Sequence, residues 1–268
     1  MSAATLNPAR IFSGLWRDRY LLGQLIKRDV LLRYRGTFGM LWIFLSPLLL
    51  LAMYALVFGG ILQTRWPQED GRLPFWVPLY AGFFIFNIFA ETISRAPTSV
   101  RACPNFVKKI VFPVHILPAV ALGAALVHGA FNFLLLVAVL AWAGGIHVEI
   151  VLFPLLLLPV LLLALGVSWF VAAWGVFIKD MTQVVPLFVQ MLLFLSPVLY
   201  PVNAVPQVLR PIYRCNPLGV VIDACRATLS GRPIEWGEWN IVLAFGAGVF
   251  VLGYAFFQNH REEFADVL

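Results

Sequence analysis

The sequence predicts an all-α integral membrane protein, with six transmembrane helices preceded by an amphipathic helix lying in the membrane interface. Three observations carry that expectation. Of the 268 residues, 61% are hydrophobic and only 12% are charged, with a mean hydropathy of +0.88; a soluble domain charges roughly a quarter of its residues to face water. Residues 36–64 contain no Asp, Glu, Lys or Arg, a run longer than the roughly 20 residues that cross a hydrocarbon core of about 30 Å. Lys and Arg gather between such runs instead of spreading evenly.

The elements follow in order within one domain, residues 1–268. Residues 10–35 read as the interfacial helix. Arg17, Gln24, Arg28 and Arg35 share one stripe, with Leu15, Leu22 and Ile26 opposite and Arg33 interrupting the apolar side. The spans are expected at about 38–62, 75–94, 117–143, 151–178, 183–200 and 239–258, as helices because lipid offers backbone groups no partners and the strand-like alternation of a barrel is missing. Pro154 and Pro159 predict a kink near the outer end of the fourth span, and the fifth ends in "FLSPVLYP" at Pro197 and Pro201. No cleavable signal peptide is expected, because Arg10, Arg17, Arg19, Lys27, Arg28, Arg33 and Arg35 break up the first 35 residues.

These seven basic residues, with Arg95, Arg101, Lys108, Lys109, Lys179 and Arg261, fall on one side of the predicted topology. Arg65, Arg72, Arg210, Arg214, Arg226 and Arg232 fall on the other. The larger group marks the cytoplasmic side and places both termini there. The net charge of +6 belongs to this asymmetry and to contact with anionic lipids, and no nucleic-acid partner is implied.

The chemistry of an enzyme is missing from the sequence. There is no G-x-x-x-x-G-K-[ST] phosphate loop and no Gly-Lys pair. Neither H-E-x-x-H nor C-x-x-C metal spacing occurs, and no carboxylate cluster suits a Mg²⁺-diphosphate transferase. No catalytic residue, no metal site and no cofactor on this chain is therefore expected. Cys103 is expected to be reduced. A short helix beginning near Pro217 carries Cys225 about 12 Å along its axis, too far for a bond to Cys215, so both are expected as free thiols; on that helix Asp223 and Arg226 lie one turn apart. Polar residues inside the spans are costly in lipid and therefore candidates for function: Asn87, Glu91, His128 and Asn132. Glu91 reads either as a carboxylate paired with Arg95 one turn on or as part of a polar route. His128 reads as an interhelical hydrogen bond or as a relay.

Three blocks in order carry a family resemblance: "KRDVLLRYRGTFGMLWIFLSPLLLLAMYALVFGGIL", "YAGFFIFNIFAETISRAPTSVRACPNFVKKIVFPVHILP" and "KDMTQVVPLFVQMLLFLSPVLYPVNAVPQVLRPIYRCNPLGVVIDACRATLSG". The chain resembles the membrane subunit of ABC-2-type exporters, most closely the bacterial branch that exports lipid-linked O-antigen, capsule or teichoic-acid chains. The resemblance implies a homodimer in the inner membrane, served by two copies of a separate ATPase subunit that holds the ATP and Mg²⁺, with short gate helices on the outer side between spans five and six. It also implies that Arg28, Asp29, Arg33, Tyr34 and Arg35 meet the ATPase, together with a coupling element in the second loop formed by Asn105, Phe106, Val107, Lys108, Lys109 and Phe112. Lys108 and Lys109 equally serve the charge rule alone. Trp42, Tyr54, Phe83, Phe86, Phe194 and Tyr200 lie on spans that the resemblance places near a channel, where aromatic faces suit sliding sugar rings; aromatic residues also line lipid and its interfaces without any such role. Three rivals stand beside this expectation: an ABC-2 permease for a drug, lipid or other small amphiphile, an ion-coupled secondary transporter, and a membrane-embedded transferase. Scarce intramembrane ionisable groups and no clear inverted repeat weigh against the second, and scattered acids against the third.

Overall fold

The computed structural model describes residues 8–35, 39, 41–61, 74, 76–108, 112–142, 147–200, 207–208 and 215–267. Among them there are helices and no strands. The N-terminal segment is two helices, α1 (Pro8–Arg17) and α2 (Arg19–Arg33), where the sequence predicts one. The break falls at Asp18, whose carboxylate turns toward Arg17 and the buried His115. Helix α1 buries Ile11 and stacks Phe12 on Phe250 at 5.1 Å, while its Trp16 stays exposed, as does Tyr20 at the start of α2. That is an amphipathic helix with aromatic side chains placed for the lipid interface.

The apolar runs become α3 (Leu41–Tyr54), which continues as a π-helical stretch Ala55–Ile61, then α4 (Trp76–Ser99) and α6 (Ile116–Trp142). The short α5 (Pro104–Val107) lies in the loop between α4 and α6. The fourth run is broken near its prolines, as predicted: a 3₁₀ turn Val148–Leu152, α7 (Phe153–Leu156) and α8 (Leu158–Phe177). Then come α9 (Met181–Leu195), α10 (Pro217–Ser230), α11 (Trp236–Asn259) and α12 (Phe264–Val267).

Five of these segments are long and apolar enough to cross a membrane. The sixth expected span, α9, has 15 residues and rises only about 22 Å, short of a hydrocarbon core of about 30 Å. The direction of its neighbours bears on its role. Gly246 meets Pro159, Gly253 meets Gly166, and Phe256 meets Phe170, so α11 runs parallel to α8. The chain between them has thus returned to the side on which α8 begins.

Small residues set the closest approach of these helices. A Cβ on Gly166 would stand 2.5 Å from the Val249 carbonyl oxygen, and one on Gly246 would stand 2.7 Å from that of Pro159. In lipid, where apolar burial gives no net drive, such close backbone packing is a main source of association. The buried indoles are satisfied as well, Trp169 donating to the His115 carbonyl at 2.8 Å and Trp239 to that of Leu156 at 3.1 Å.

Arg226, expected as an outward charge one turn from Asp223, is buried on α10. Its guanidinium donates to the carbonyls of Pro78, Pro197 and Val198 at 2.8–2.9 Å, bonding α10 to the start of α4 and the end of α9. Asp223 lies near Arg232 instead, at 3.8 Å. Cys103, Cys215 and Cys225 are free thiols, Cys225 fully buried on α10.

Replacing Gly166 by valine is expected to overpack the α8–α11 contact by about 1–3 kcal/mol. The check is the apparent melting temperature of the detergent-solubilised protein against a Gly248→Ala control, at a glycine with open space around it.

Candidate functional site

Helices α2, α4 and α6 meet where their polar side chains would otherwise be stranded in a low-dielectric layer. Arg33 at the end of α2 pairs with Glu91 on α4, and the His128 ring of α6 sits beside the same carboxylate, with Nδ1 at 3.0 Å from Oε2. The carboxylate accepts the Nδ1–H, which leaves Nε2 buried without a hydrogen-bond partner. Arg95 approaches Glu91 at 3.5 Å, but its closer partner is Asp29 of α2, at 2.5 Å. Two ion pairs therefore tie α2 to α4, one turn of α2 apart.

The polar chain continues away from this junction. Asn132 donates to the His128 carbonyl one turn back at 2.8 Å and accepts from the Tyr80 hydroxyl at 2.7 Å. Tyr34 packs edge-on against His128 at 5.6 Å, and burial, against the pull of Arg33, holds its hydroxyl pKa above the usual value. Beneath these groups Val30, Ile43 and Ala124 form a small apolar cluster of α2, α3 and α6.

The site residues predicted from sequence divide into those the structure gathers and those it does not. Asp29, Arg33 and Tyr34 join Glu91, His128 and Asn132 in this junction. Arg28 reaches the second loop, its guanidinium 5.9 Å from the Phe106 ring centroid, and Phe106 stacks on Phe112 at 4.5 Å. Arg35, Asn105 and Lys108 are exposed and Val107 is half-buried; Lys109 lies outside the described residues. Of the aromatic set, Tyr54 and Phe83 pair at 4.7 Å, and the Tyr200 hydroxyl donates to the Phe194 carbonyl. Trp42 and Phe194 are exposed, whereas Phe86 is buried in the core and lines no open face of the chain. Asn87 is exposed on α4, midway along its span, as is Gln190 on α9, a residue the sequence reading passed over.

A second polar pair was also missed. His115, 7% exposed, faces Asp18 with Nε2 and Oδ2 3.6 Å apart, and neither atom has a hydrogen-bond partner. Tyr254 stands edge-on to the ring at 5.8 Å. No spacing in the sequence announces a contact between residues so far apart. Among the described residues no group of His, Cys, Asp and Glu is placed to hold a metal ion.

The profile of the ABC-2 type transporter family matches residues 20–230, and the chain belongs to that family. Its relatives match almost end to end. It is 26% identical over 262 residues to the O-antigen export system permease protein RfbA of Myxococcus xanthus, covering 96% of this chain and 98% of that protein. It is 24% identical to a protein of the same name from Klebsiella pneumoniae, covering 92% and 95%. The polysialic acid transport protein KpsM of Escherichia coli is 26% identical over 257 residues, covering 93% and 97%.

Burial, only partly opposed by Asp18, lowers the His115 pKa to about 4. The unfolded chain, titrating near 6.5, takes up the proton first, so the contribution of His115 to stability is full above pH 6.5 and falls as the pH drops toward 4. Between pH 7 and pH 5 the protein should lose about 2 kcal/mol through this group. Melting temperatures of wild type and His115→Gln across that range check it, the variant showing the shallower slope.

Proposed function

We propose that this chain is the membrane subunit of an ATP-driven exporter that moves lipid-linked polysaccharide of the O-antigen type across the bacterial inner membrane. The end-to-end similarity to export permeases for O-antigen and polysialic acid supports the substrate class. In this reading two copies of the chain form the channel, and ATP and Mg²⁺ are bound by two copies of a partner ATPase subunit, with no nucleotide site on the chain itself. In the same reading the termini are cytoplasmic, which the Lys and Arg distribution supports. The parallel course of α8 and α11 supports counting α9 as a sixth span, and α10, bonded through Arg226 to the ends of α4 and α9, fits a gate element on the outer side.

One observation carries the mechanism: α2 is ion-paired twice to α4, with His128 of α6 on the same Glu91 carboxylate, while its outer face, with Lys27 and Arg28, remains exposed beside α5. ATPase subunits closing on nucleotide would push on Arg28, Arg35, Asn105, Phe106, Val107, Lys108, Lys109 and Phe112. Asp29, Arg33 and Tyr34 would carry the push as a rigid-body shift into the spans. Tyr54, Phe83, Phe194 and Tyr200 offer aromatic faces to the sugar, with Trp42 nearer one end, and Asn87 adds a hydrogen-bonding amide.

Charge reversal at Arg28 and Lys108 tests this. The double variant should fold, since both side chains are exposed, yet lose ATPase subunit in co-purification and lower polysaccharide export by about tenfold, equivalent to about 1.4 kcal/mol. Export at the wild-type rate would rule out this contact surface.

A further inference from the structure

Helix α4 is bonded to other elements at both of its ends. At one end Glu91 and Arg95 take the ion pairs from Arg33 and Asp29 of α2. At the other the Arg226 side chain of α10 donates its Nε–H to the Pro78 carbonyl at 2.9 Å. Pro78 and Arg95 share one unbroken helix, and the rise between them is about 26 Å, against a hydrocarbon core of about 30 Å. Of the 24 residues of α4 only Asn87 and Thr98 are exposed, and the others are covered or half-covered, chiefly by α6, α8 and α9. A helix encased this closely passes a displacement along its length, because a close-packed interior transmits strain.

The remaining guanidinium bonds go to the turn after α9, to the carbonyls of Pro197 and Val198, both at 2.8 Å. Pro201, one helical turn past Pro197 in the sequence, has no N–H to offer that carbonyl, and the guanidinium serves it instead. Asn216, the N-cap of α10, holds the same segment from the opposite end of the helix. Its amide donates to the Leu195 carbonyl at 3.2 Å and to the Ser196 hydroxyl at 2.9 Å. Thus α10 and the turn form one piece, and the buried Arg226 bonds that piece to α4. Gly82, one turn along α4 from Pro78, makes the seat: a Cβ there would stand 2.6 Å from Nη2 of Arg226. Charge-assisted bonds are roughly twice as strong as neutral ones, so a guanidinium holds where an amide would slip.

We propose that Arg226 is the outlet of the transmission. A displacement of α2 enters α4 through Glu91 and Arg95 and leaves it through Arg226, into α10 and the turn after α9. The proposal rests on the exporter reading above and extends it from the ATPase face to the opposite end of the spans. Arg226 is a positioning residue: α10 follows the nucleotide state of the ATPase only while the guanidinium bridges to α4.

The test uses the chain co-purified with its ATPase subunit in nanodiscs, either nucleotide-free or trapped with ADP and vanadate. The exposed Cys215 stands next to Asn216 at the start of α10. Its rate of modification by a maleimide, read on its own peptide by mass spectrometry, therefore reports the position of that helix. Trapping should change the rate by at least about threefold in the wild type, as two positions of α10 exchange populations. Arg226→Met removes the bridge and should bring the ratio to about one, while the ATPase subunit stays bound and still traps nucleotide. Should that variant fold poorly, Gly82→Ala decides in its place. Its methyl displaces only the flexible end of Arg226, alanine suits a helix, and the same loss of response is expected. A change of about threefold or more kept in the deciding variant would overturn the proposal, as would a wild-type ratio of about one in a complex that traps nucleotide. Failure to purify with an ATPase subunit would instead overturn the exporter reading, and the proposal with it.

Discussion

A guanidinium and a carboxylate drawn between helices at the edge of a membrane cannot separate without one of them facing hydrocarbon unpaired. Arg33 and Glu91 are held by that constraint. Arg33 is half exposed and Glu91 largely covered, so the pair is neither a surface ornament worth a few tenths of a kcal/mol nor a fully desolvated bridge. Its position gives it weight. It closes the C-terminal end of α2 against α4 and α6, and the Asp29–Arg95 pair fixes the same helix one turn earlier. With two attachments, α2 can neither rotate nor slide without moving α4.

The remainder of the fold divides around this junction. On one side stands a frame of α4, α6, α8 and α11, packed through glycine contacts and satisfied indoles, with most of the large buried side chains. On the other stand α3 and α9, which leave long apolar faces uncovered by the chain: Leu41, Phe44, Leu48 and Met53 on one, Leu187, Phe188, Met191 and Phe194 on the other. In a membrane such faces are covered by lipid or by a second subunit without penalty. The polar Gln190 and the exposed Asn87 sit on this open side of α9 and α4, where contact with lipid would be costly and contact with a polar substrate would not.

Much of the fold was legible because a hydrocarbon layer leaves so few choices. Uncharged runs became helices within a few residues of their expected ends, and Pro154 and Pro159 broke the fourth span where they should. What escaped depends on tertiary neighbours. Arg33 reads in the sequence as a flaw in an amphipathic stripe and is in fact the residue that reaches Glu91. Arg226 reads as one more outward charge; nothing nearby in the chain reveals that three carbonyls, one at the start of α4 and two in the turn after α9, await it. The break at Asp18 has no proline or glycine to announce it, since its cause is His115, brought from the far end of the second loop. Glu91 and His128 stood out as costly polar residues in lipid, while their shared partner on α2 could not be read from spacing.

The central claim, that the Arg33–Glu91 pair transmits motion from α2 to the spans, is tested most directly by exchanging the two charges. Arg33→Glu and Glu91→Arg should each lower stability by about 1–3 kcal/mol, less than a fully buried pair would, and each should uncouple ATP hydrolysis from polysaccharide export. The double exchange should recover a substantial part of both, with a coupling energy of about 1 kcal/mol or more. If the two single effects simply add in the double variant, or if either single variant exports normally, the pair is incidental and the coupling path lies elsewhere.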